Sequence, residues 1–280
     1  MGFIRQRLQP KYTKGETEAF IRIIFRHLMH YEAVDILLHK DSVLPDFIST
    51  KIEKVVDELL NDRPIQYIFG ETYFHGHVFG VDSSTLIPRP ETEELVDWIV
   101  DSHPEKDLSV LDAGTGSGCI AISLALALKF AEVTAIDISE GALAKAGENA
   151  RRLKASVRFE KADILSLSAS DGRRYDLIVS NPPYIADSER SAMERNVLDY
   201  EPATALFVPD NDALRFYRAL ARYAKNALKP GGRLYFEINS RFPEEMRQLL
   251  KEEGFCDIEL RRDMQGLYRF AAGTKGGHNG

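Results

Sequence analysis

Cysteine is nearly missing from this chain: Cys119 and Cys256 are the only two in 280 residues, far apart and in otherwise apolar surroundings. That excludes a disulfide framework and a zinc ligand set, so no metal is expected, and a reducing cytoplasm fits best. Long apolar runs are missing too. No stretch approaches the roughly 20 uninterrupted apolar residues that span a bilayer, and the opening MGFIRQRLQPKYTKG has no apolar core ahead of a small-residue cleavage site. Neither membrane insertion nor secretion is expected. Basic residues are in deficit, 36 Lys and Arg against 43 Asp and Glu for a net charge of -7. That argues against a protein that grips long nucleic acid through its phosphates, although a local basic patch could hide in the sum. Internal repeats and low-complexity stretches are also absent, and a monomer is expected. What remains is an ordinary soluble composition, 44% apolar and 28% charged, long enough for one large or two unequal domains.

From Glu16 to about Asn61 apolar residues recur at helical spacing: Phe20, Ile23, Ile24, Leu28, then Val34, Leu37, Leu38, then Ile48, Ile52, Val55, Val56, Leu59, Leu60. This predicts a bundle of short amphipathic helices over residues 1–66, closed by Asn61-Asp62-Arg63-Pro64. Residues 67–88 change character, with aromatic and β-branched residues alternating among Gly70, Gly76 and Gly80, as a β-hairpin connector would. His75 and His77 lie there and read as surface or packing residues. From residue 89 the pattern becomes a regular alternation of strand and helix. A helix begins with the acidic turn Glu91 to Glu94, and strands are predicted at 109–114, 132–137, 157–163, 175–181 and 232–239, separated by helices such as 117–129 and 139–153. Strands joined by crossover helices make an α/β fold, a doubly wound, mostly parallel sheet. The tail from 274 to 280 has nothing to pack and is expected to be disordered.

The first of these strands ends in Asp112-Ala113-Gly114-Thr115-Gly116-Ser117-Gly118, and a helix follows at once. Glycines there let the backbone turn sharply and let a ligand approach main-chain N–H groups. The dinucleotide fingerprint needs a small residue where Cys119 stands, and the third glycine comes one position early. The spacing instead matches the G-x-G-x-G turn that class I methyltransferases use for S-adenosylmethionine. The second strand ends in Asp137, 25 residues beyond Asp112 (137 minus 112), near the roughly 20-residue interval at which an acid meets ribose hydroxyls. The third ends in Ala162-Asp163-Ile164, where the acid can accept from an adenine amino group and the isoleucine can cover the ring. Each feature alone could be a turn or a capping acid. Three successive strand ends that each supply a group required by one nucleoside ligand, at the edge where doubly wound sheets bind, point to a site.

The fourth strand ends in Ser180-Asn181-Pro182-Pro183-Tyr184. Two prolines remove two N–H donors, so the carbonyls near Asn181 and Pro182 are held as acceptors with no helix to consume them. The side-chain carbonyl of Asn181 adds another acceptor, and Tyr184 a flat face. Such a slot suits a planar NH2 group: two acceptors take its hydrogens while a ring packs on its plane. An amide nitrogen is a poor nucleophile, and accepting both hydrogens localises its lone pair and aims it at a sulfonium methyl.

Several segments together carry a resemblance: LIPRPETEELV (86–96), DAGTGSGCIAISLA (112–125), AIDIS (135–139), SNPPYI (180–185), EPATALF (201–207) and KPGGRLYFEI (229–238). The chain resembles the bacterial protein-(glutamine-N5) methyltransferases that modify peptide-chain release factors, over essentially its whole length. The resemblance implies S-adenosylmethionine as cofactor, S-adenosylhomocysteine as product, and the glutamine of the release factor's Gly-Gly-Gln loop as acceptor. It implies that the turn from Gly114 to Gly118 with Asp137, Ile164 and Asn181 contacts the cofactor, and Asn181 to Tyr184 the amide; Asp112 and Asp163 are expected among the cofactor-binding residues too. Arg89, Thr92 and Glu93 match the R-P-E-T-E segment that lines the site. Residues 1–66 would then recognise the protein substrate. One departure is that Asn239-Ser240 follow Glu237-Ile238 where such proteins commonly have glycine, which leaves open the shape of the loop beneath the site.

Three other readings compete. A cousin that methylates a glutamine of a large-subunit ribosomal protein usually carries an R-S-P-type segment where this chain has Arg89-Pro90-Glu91. An N6-adenine or N4-cytosine nucleic-acid methyltransferase shares the NH2 chemistry, but the net charge of -7 and the lack of a long basic, aromatic-rich segment oppose it. A silent S-adenosylmethionine-binding module has no use for two preorganised acceptors beside the methyl group.

Overall fold

The structure, a computed structural model, describes residues 1–39 and 42–276. The chain divides into a unit of Met1–Gly70 with Glu194–Tyr200 and a larger unit made of the rest. The smaller contains α1 (Gly2–Leu8), α2 (Lys14–Met29), α3 (Ala33–Leu38), α4 (Asp46–Leu60) and α5 (Ile65–Phe69). Helix α2 starts where it does because Thr13 and Glu16 cap each other: the Glu16 N–H donates to Thr13 Oγ1 at 3.3 Å and the Thr13 N–H to Glu16 Oε2 at 2.8 Å. On α4, Ile48, Ile52, Val55, Val56 and Leu59 are all buried, packed with Ile21, Ile24 and Phe25 of α2. Tyr200 joins this unit through its hydroxyl, which donates to the Asn61 carbonyl at 2.8 Å. The apolar repeat at 34–38 departs from expectation. Val34, Leu37 and Leu38 are 64%, 71% and 73% exposed, because α3 is so short that only Ile36 reaches the core.

The larger unit opens with a hairpin of β1 (Glu71–Phe74) and β2 (His77–Gly80), whose turn residues His75 and Gly76 have φ of 46° and 78°, as a tight hairpin turn requires. Residues 65–69 are helical rather than part of this hairpin, so it is shorter than the predicted 67–88. Nor is it a free connector. Phe74 and Phe79 are fully buried with Leu95 and Ile99, and Asn149 clamps both strand and glycine turn, accepting from the Gly80 N–H at 2.7 Å and donating to the Gly80 and Ser117 carbonyls at 2.9 and 2.8 Å. His75 sits at the turn, its Nε2 at 2.9 Å from Asp97 Oδ1.

There follow α6 (Pro90–Ser102), β3 (Ser109–Ala113), α7 (Cys119–Ala127), β4 (Glu132–Asp137), α8 (Glu140–Leu153), β5 (Val157–Lys161), β6 (Tyr175–Ser180) and β7 (Ile185–Ala186). Then, after α9 (Arg195–Tyr200) of the smaller unit, come β8 (Phe207–Val208), α10 (Arg215–Ala227), β9 (Leu228–Glu237), α11 (Pro243–Glu252), β10 (Phe255–Arg262) and β11 (Tyr268–Lys275). Seven strands form one sheet in the order β10-β11-β9-β6-β3-β4-β5, in which β9, β6, β3, β4 and β5 pair in parallel and β11 runs against both neighbours. Successive residues face opposite sides, so Val110, Leu177 and Tyr235 pack under α6 and α7 while Leu111, Ile178 and Phe236 pack under α10 and α11. Strands β10 and β11 were not predicted. Thr274 and Lys275, expected to begin a disordered tail, close β11: Thr274 pairs with Arg233 and Lys275 Nζ reaches the Leu228 carbonyl at 2.6 Å. The rest of that prediction, residues 277–280, lies outside the described residues. Among the described residues no helix is long and apolar enough to cross a membrane.

From β3 the chain builds outward to β4 and β5, then returns to lay β6 against the other side of β3. Adjacent strands there lead their loops in opposite directions, which opens a crevice at their carboxyl ends.

Candidate active site

That crevice is a cavity of about 360 Å³, within the roughly 300–1,000 Å³ range of small-molecule sites. Its floor is the turn after β3. Gly114, Gly116 and Gly118 have φ of 79°, 56° and 81°, a region other residues rarely enter. The Gly114 and Thr115 N–H groups donate to the Ile136 carbonyl at 2.8 and 3.0 Å, and Gly118 caps α7. A Cβ on Gly118 would lie 2.9 Å from Ile122 Cδ1 and 3.0 Å from Ala146 Cβ, whereas on Gly116 it would stand in open space.

Asp112 lies beneath this turn and does not line the cavity. Its Oδ2 accepts from Thr115 Oγ1 at 2.7 Å and the Ala121 N–H at 3.2 Å, while buried Oδ1 has no partner. Burial pushes its carboxyl up to about 7, against the pull of the Thr115 and Ala121 hydrogen bonds. Gly118 is likewise outside the lining, being spent on the helix start. Gly114, Thr115, Gly116, Ser117, Asp137, Asp163 and Ile164 all line the cavity. Asp137 accepts from the Gly116 N–H through Oδ2 and from the Ser139 N–H through Oδ1, each at 2.9 Å. Asp163 accepts from the Leu165 N–H at 2.9 Å. Ser117 Oγ is buried without a hydrogen-bond partner, and Ile138, 57% exposed, lines the cavity. A glycine cradle, two acids and an apolar wall fit a nucleoside-bearing ligand such as S-adenosylmethionine. Ile138, Leu165, Phe207 and Phe216 belong to this wall and were not singled out in the sequence; Ile138 and Leu165, each directly after a predicted acid or its neighbour, could have been.

At the end of β6, Asn181 and Pro183 line the cavity. No backbone N–H among the described residues is bonded to the carbonyl of Asn181 or Pro182. The Asn181 Nδ2 donates to Thr92 Oγ1 at 3.4 Å. Pro182 is buried and does not line the cavity. Tyr184 also departs from expectation: its ring is not part of the lining, because its hydroxyl turns into the sheet and donates to Glu237 Oε1 at 3.2 Å. Burial raises the Tyr184 phenol far above its usual range. Glu237, the last residue of β9, is 2% exposed and accepts from Thr92 Oγ1 at 2.7 Å. Burial raises its carboxyl above the ordinary range, opposed by the Thr92 bond, the Arg269 charge and the Tyr184 bond.

From the predicted R-P-E-T-E segment, Arg89 and Thr92 line the cavity and Glu93 does not, since the adjacent helix position points elsewhere. Arg89 pairs with buried Glu201 at 2.5 Å, and the other oxygen of Glu201 accepts from the Ile87 N–H at 3.2 Å. One acid thus ties segment 86–91 to segment 201–207. After β9, Asn239 takes the turn without a positive φ: its Oδ1 accepts from the Arg241 N–H at 3.0 Å and its Nδ2 donates to the Tyr184 carbonyl at 3.2 Å. The departure from glycine therefore braces the Tyr184 backbone.

Known proteins are similar in sequence to this chain along almost its full length. The release factor glutamine methyltransferase of Bacteroides thetaiotaomicron is 44% identical over 273 residues, 98% of each chain, and that of Flavobacterium psychrophilum 43% identical over 265 residues, 93% of each. This chain belongs to the release factor glutamine methyltransferase family. Residues 104–270 match the family described as methyltransferase domain, and residues 3–70 the PrmC N-terminal domain. Among solved structures, a ribosomal protein L11 methylase from Lactobacillus delbrueckii subsp. bulgaricus matches with a TM-score of 0.50 and 23% identity, over 70% of this chain and 84% of that one. A methyltransferase from Pyrococcus furiosus matches with a TM-score of 0.52 and 17% identity, over 81% and 98%. At these identities the likeness is one of fold, the class I methyltransferase sheet.

Proposed function

We propose that this enzyme transfers a methyl group from S-adenosylmethionine to the side-chain amide nitrogen, N5, of the glutamine in the Gly-Gly-Gln loop of peptide-chain release factors. The observation that carries the reading is the row of uncommitted acceptors at the end of β6, beside a cavity built on a glycine turn and two acids. When bound, S-adenosylmethionine supplies an electrophilic methyl group. The chain's own residues do the rest. Asp137 holds the ribose hydroxyls, Asp163 and Ile164 the adenine, and the Gly114 to Gly118 turn leaves room for the remainder. The Asn181 Oδ1 and a carbonyl of the Asn181-Pro182 pair accept the two amide hydrogens, which localises the nitrogen lone pair and orients it. Asp112 acts from beneath, shaping the turn rather than touching the ligand.

Residues 1–66 are the substrate-recognition part of this reading. Their support is the apolar surface they leave open, Val34, Leu37, Leu38 and Phe47, the last 64% exposed. A glutamine on a loop presents little surface, so selection among the cell's many glutamines needs contacts remote from the reacting nitrogen. The enzyme acts as a cytoplasmic monomer without stable nucleic-acid binding. The test is incubation with methyl-labelled S-adenosylmethionine and, separately, release factor, large-subunit ribosomal protein and DNA. Label on release factor alone supports the proposal, and label on either of the others with none on release factor overturns it.

A further inference from the structure

We infer that Glu237 is a positioning residue for methyl transfer, which through Thr92 fixes which end of the Asn181 amide faces the site. The inference rests on Asn181 acting as the amide acceptor. Glu237 stands at the end of β9, buried, and meets a hydroxyl on each oxygen: Thr92 Oγ1 at 2.7 Å from α6 and the Tyr184 hydroxyl at 3.2 Å from the loop after β6. Each hydroxyl donates to Glu237, Thr92 to Oε2 and Tyr184 to Oε1, and so spends its single hydrogen there. Thr92 Oγ1 is then left with lone pairs alone.

The polarity of the next contact follows. Asn181 lies 3.4 Å from that oxygen, and only its NH2 end can satisfy it. With Nδ2 held there, Oδ1 is turned away from Thr92, and among the described residues it has no hydrogen-bond partner. The flipped amide would set two acceptors against each other at Thr92 and present an NH2 group to the incoming NH2 group of glutamine, a donor facing a donor. A carboxylate that need not touch either substrate thus decides whether the slot accepts or repels its target. The same group anchors Tyr184, whose carbonyl is braced by Asn239, so the whole Asn181 to Tyr184 loop is fixed from behind.

A merely structural role would be that Glu237 staples α6 to the sheet. Thr92→Val, Thr92→Ser and Glu237→Gln separate the two, each assayed for turnover of release factor, affinity for S-adenosylmethionine and melting temperature. Valine keeps the shape and loses the hydroxyl, so kcat should fall by about 10- to 100-fold as the amide loses its orientation, with cofactor affinity unchanged. Serine restores the hydroxyl and should restore most of the rate. Glu237→Gln puts an NH2 group where one hydroxyl must donate and should lose kcat as valine does; should it not fold, the Thr92 pair carries the test. Thr92→Val should add nothing in an Asn181→Ala background, since the group it orients is gone. If Thr92→Val turns over like wild type, or slows Asn181→Ala by the same factor as it slows wild type, the positioning role is wrong while the function stands. If wild type leaves release factor unlabelled, or Asn181→Ala matches wild type, the acceptor reading falls and the inference falls with it.

Discussion

Replacing Gly118 by alanine separates the two jobs of the glycine turn, closing the backbone and making room for a ligand. Gly118 has φ of 81°, a conformation that costs an L residue roughly 1–2 kcal/mol. The added methyl would lie 2.9 Å from Ile122 Cδ1, 3.0 Å from Ala146 Cβ and 3.3 Å from Ala146 Cα. Isoleucine can swing its terminal carbon aside, but the two atoms of Ala146 are anchored to the backbone of α8 and move only with the helix. Overpacking of this kind typically costs about 1–3 kcal/mol, for a total of about 2–5 kcal/mol. For a unit of this size that is a fall in melting temperature of the order of 10 °C. Gly116→Ala is the control. Its φ of 56° carries the backbone cost, but a methyl there meets nothing within 4 Å and stands at the cavity wall. It should therefore lose less stability than Gly118→Ala, only the backbone cost of roughly 1–2 kcal/mol, and more of its S-adenosylmethionine affinity. Calorimetric melting of both variants, with and without the cofactor, reads the two effects. Equal melting temperatures for the two unliganded variants would refute the reasoning, because the clash with Ala146 would then carry no weight.

Asp112 makes stability depend on pH. Its folded-state pKa, about 7, is raised above the ordinary 3.8, so the protonated acid is favoured by folding. That contribution is complete below about pH 4 and is lost progressively as pH rises from there to about 7, a change of up to about 4 kcal/mol. Melting of the unliganded protein across about pH 4 to 9 should show wild type losing stability relative to Asp112→Asn between about pH 4 and 7 and running parallel to it above; parallel curves below about pH 7 would contradict it. Asp137→Ala should weaken S-adenosylmethionine binding by roughly 1.5–3 kcal/mol, since a charged acceptor for hydroxyls is gone, and an unchanged dissociation constant by calorimetry would make Asp137 a mere turn residue. Leu37→Glu with Leu38→Glu should raise KM for whole release factor and leave a short Gly-Gly-Gln peptide unaffected; equal effects on both substrates would end the recognition role.

Central strands were legible because strands covered on both faces read as unbroken apolar runs, and β3, β4 and β6 end within a residue of where SVLDAG, EVTAID and YDLIVSN predict. The glycine turn and the acids at Asp137 and Asp163 were legible because each follows directly on such a run. Strand β10 was not: FCDIELRR lies at the sheet edge, where charged residues interrupt any alternation. Val34, Leu37 and Leu38 have helical spacing, but spacing cannot say whether so short a helix finds a core to face. Glu237 and Tyr184 show a further limit. An acid at a strand end looks solvated in a sequence, and only the meeting of α6, β9 and the loop after β6 reveals that it is buried and bonded to Thr92 and Tyr184. Local pattern carries no record of partners more than 50 residues away.

The central claim, that the acceptors at the end of β6 serve transfer to a glutamine amide, is tested most directly by mass-spectrometric mapping of release factor treated with wild type and with Asn181→Ala. With wild type, fragment ions should place one methyl group on the glutamine of the Gly-Gly-Gln tripeptide. With Asn181→Ala, which keeps most of its affinity for S-adenosylmethionine, the initial rate at that residue should fall by about 10² to 10³. A methyl group mapped to another residue, or equal rates for the two proteins, would contradict the account.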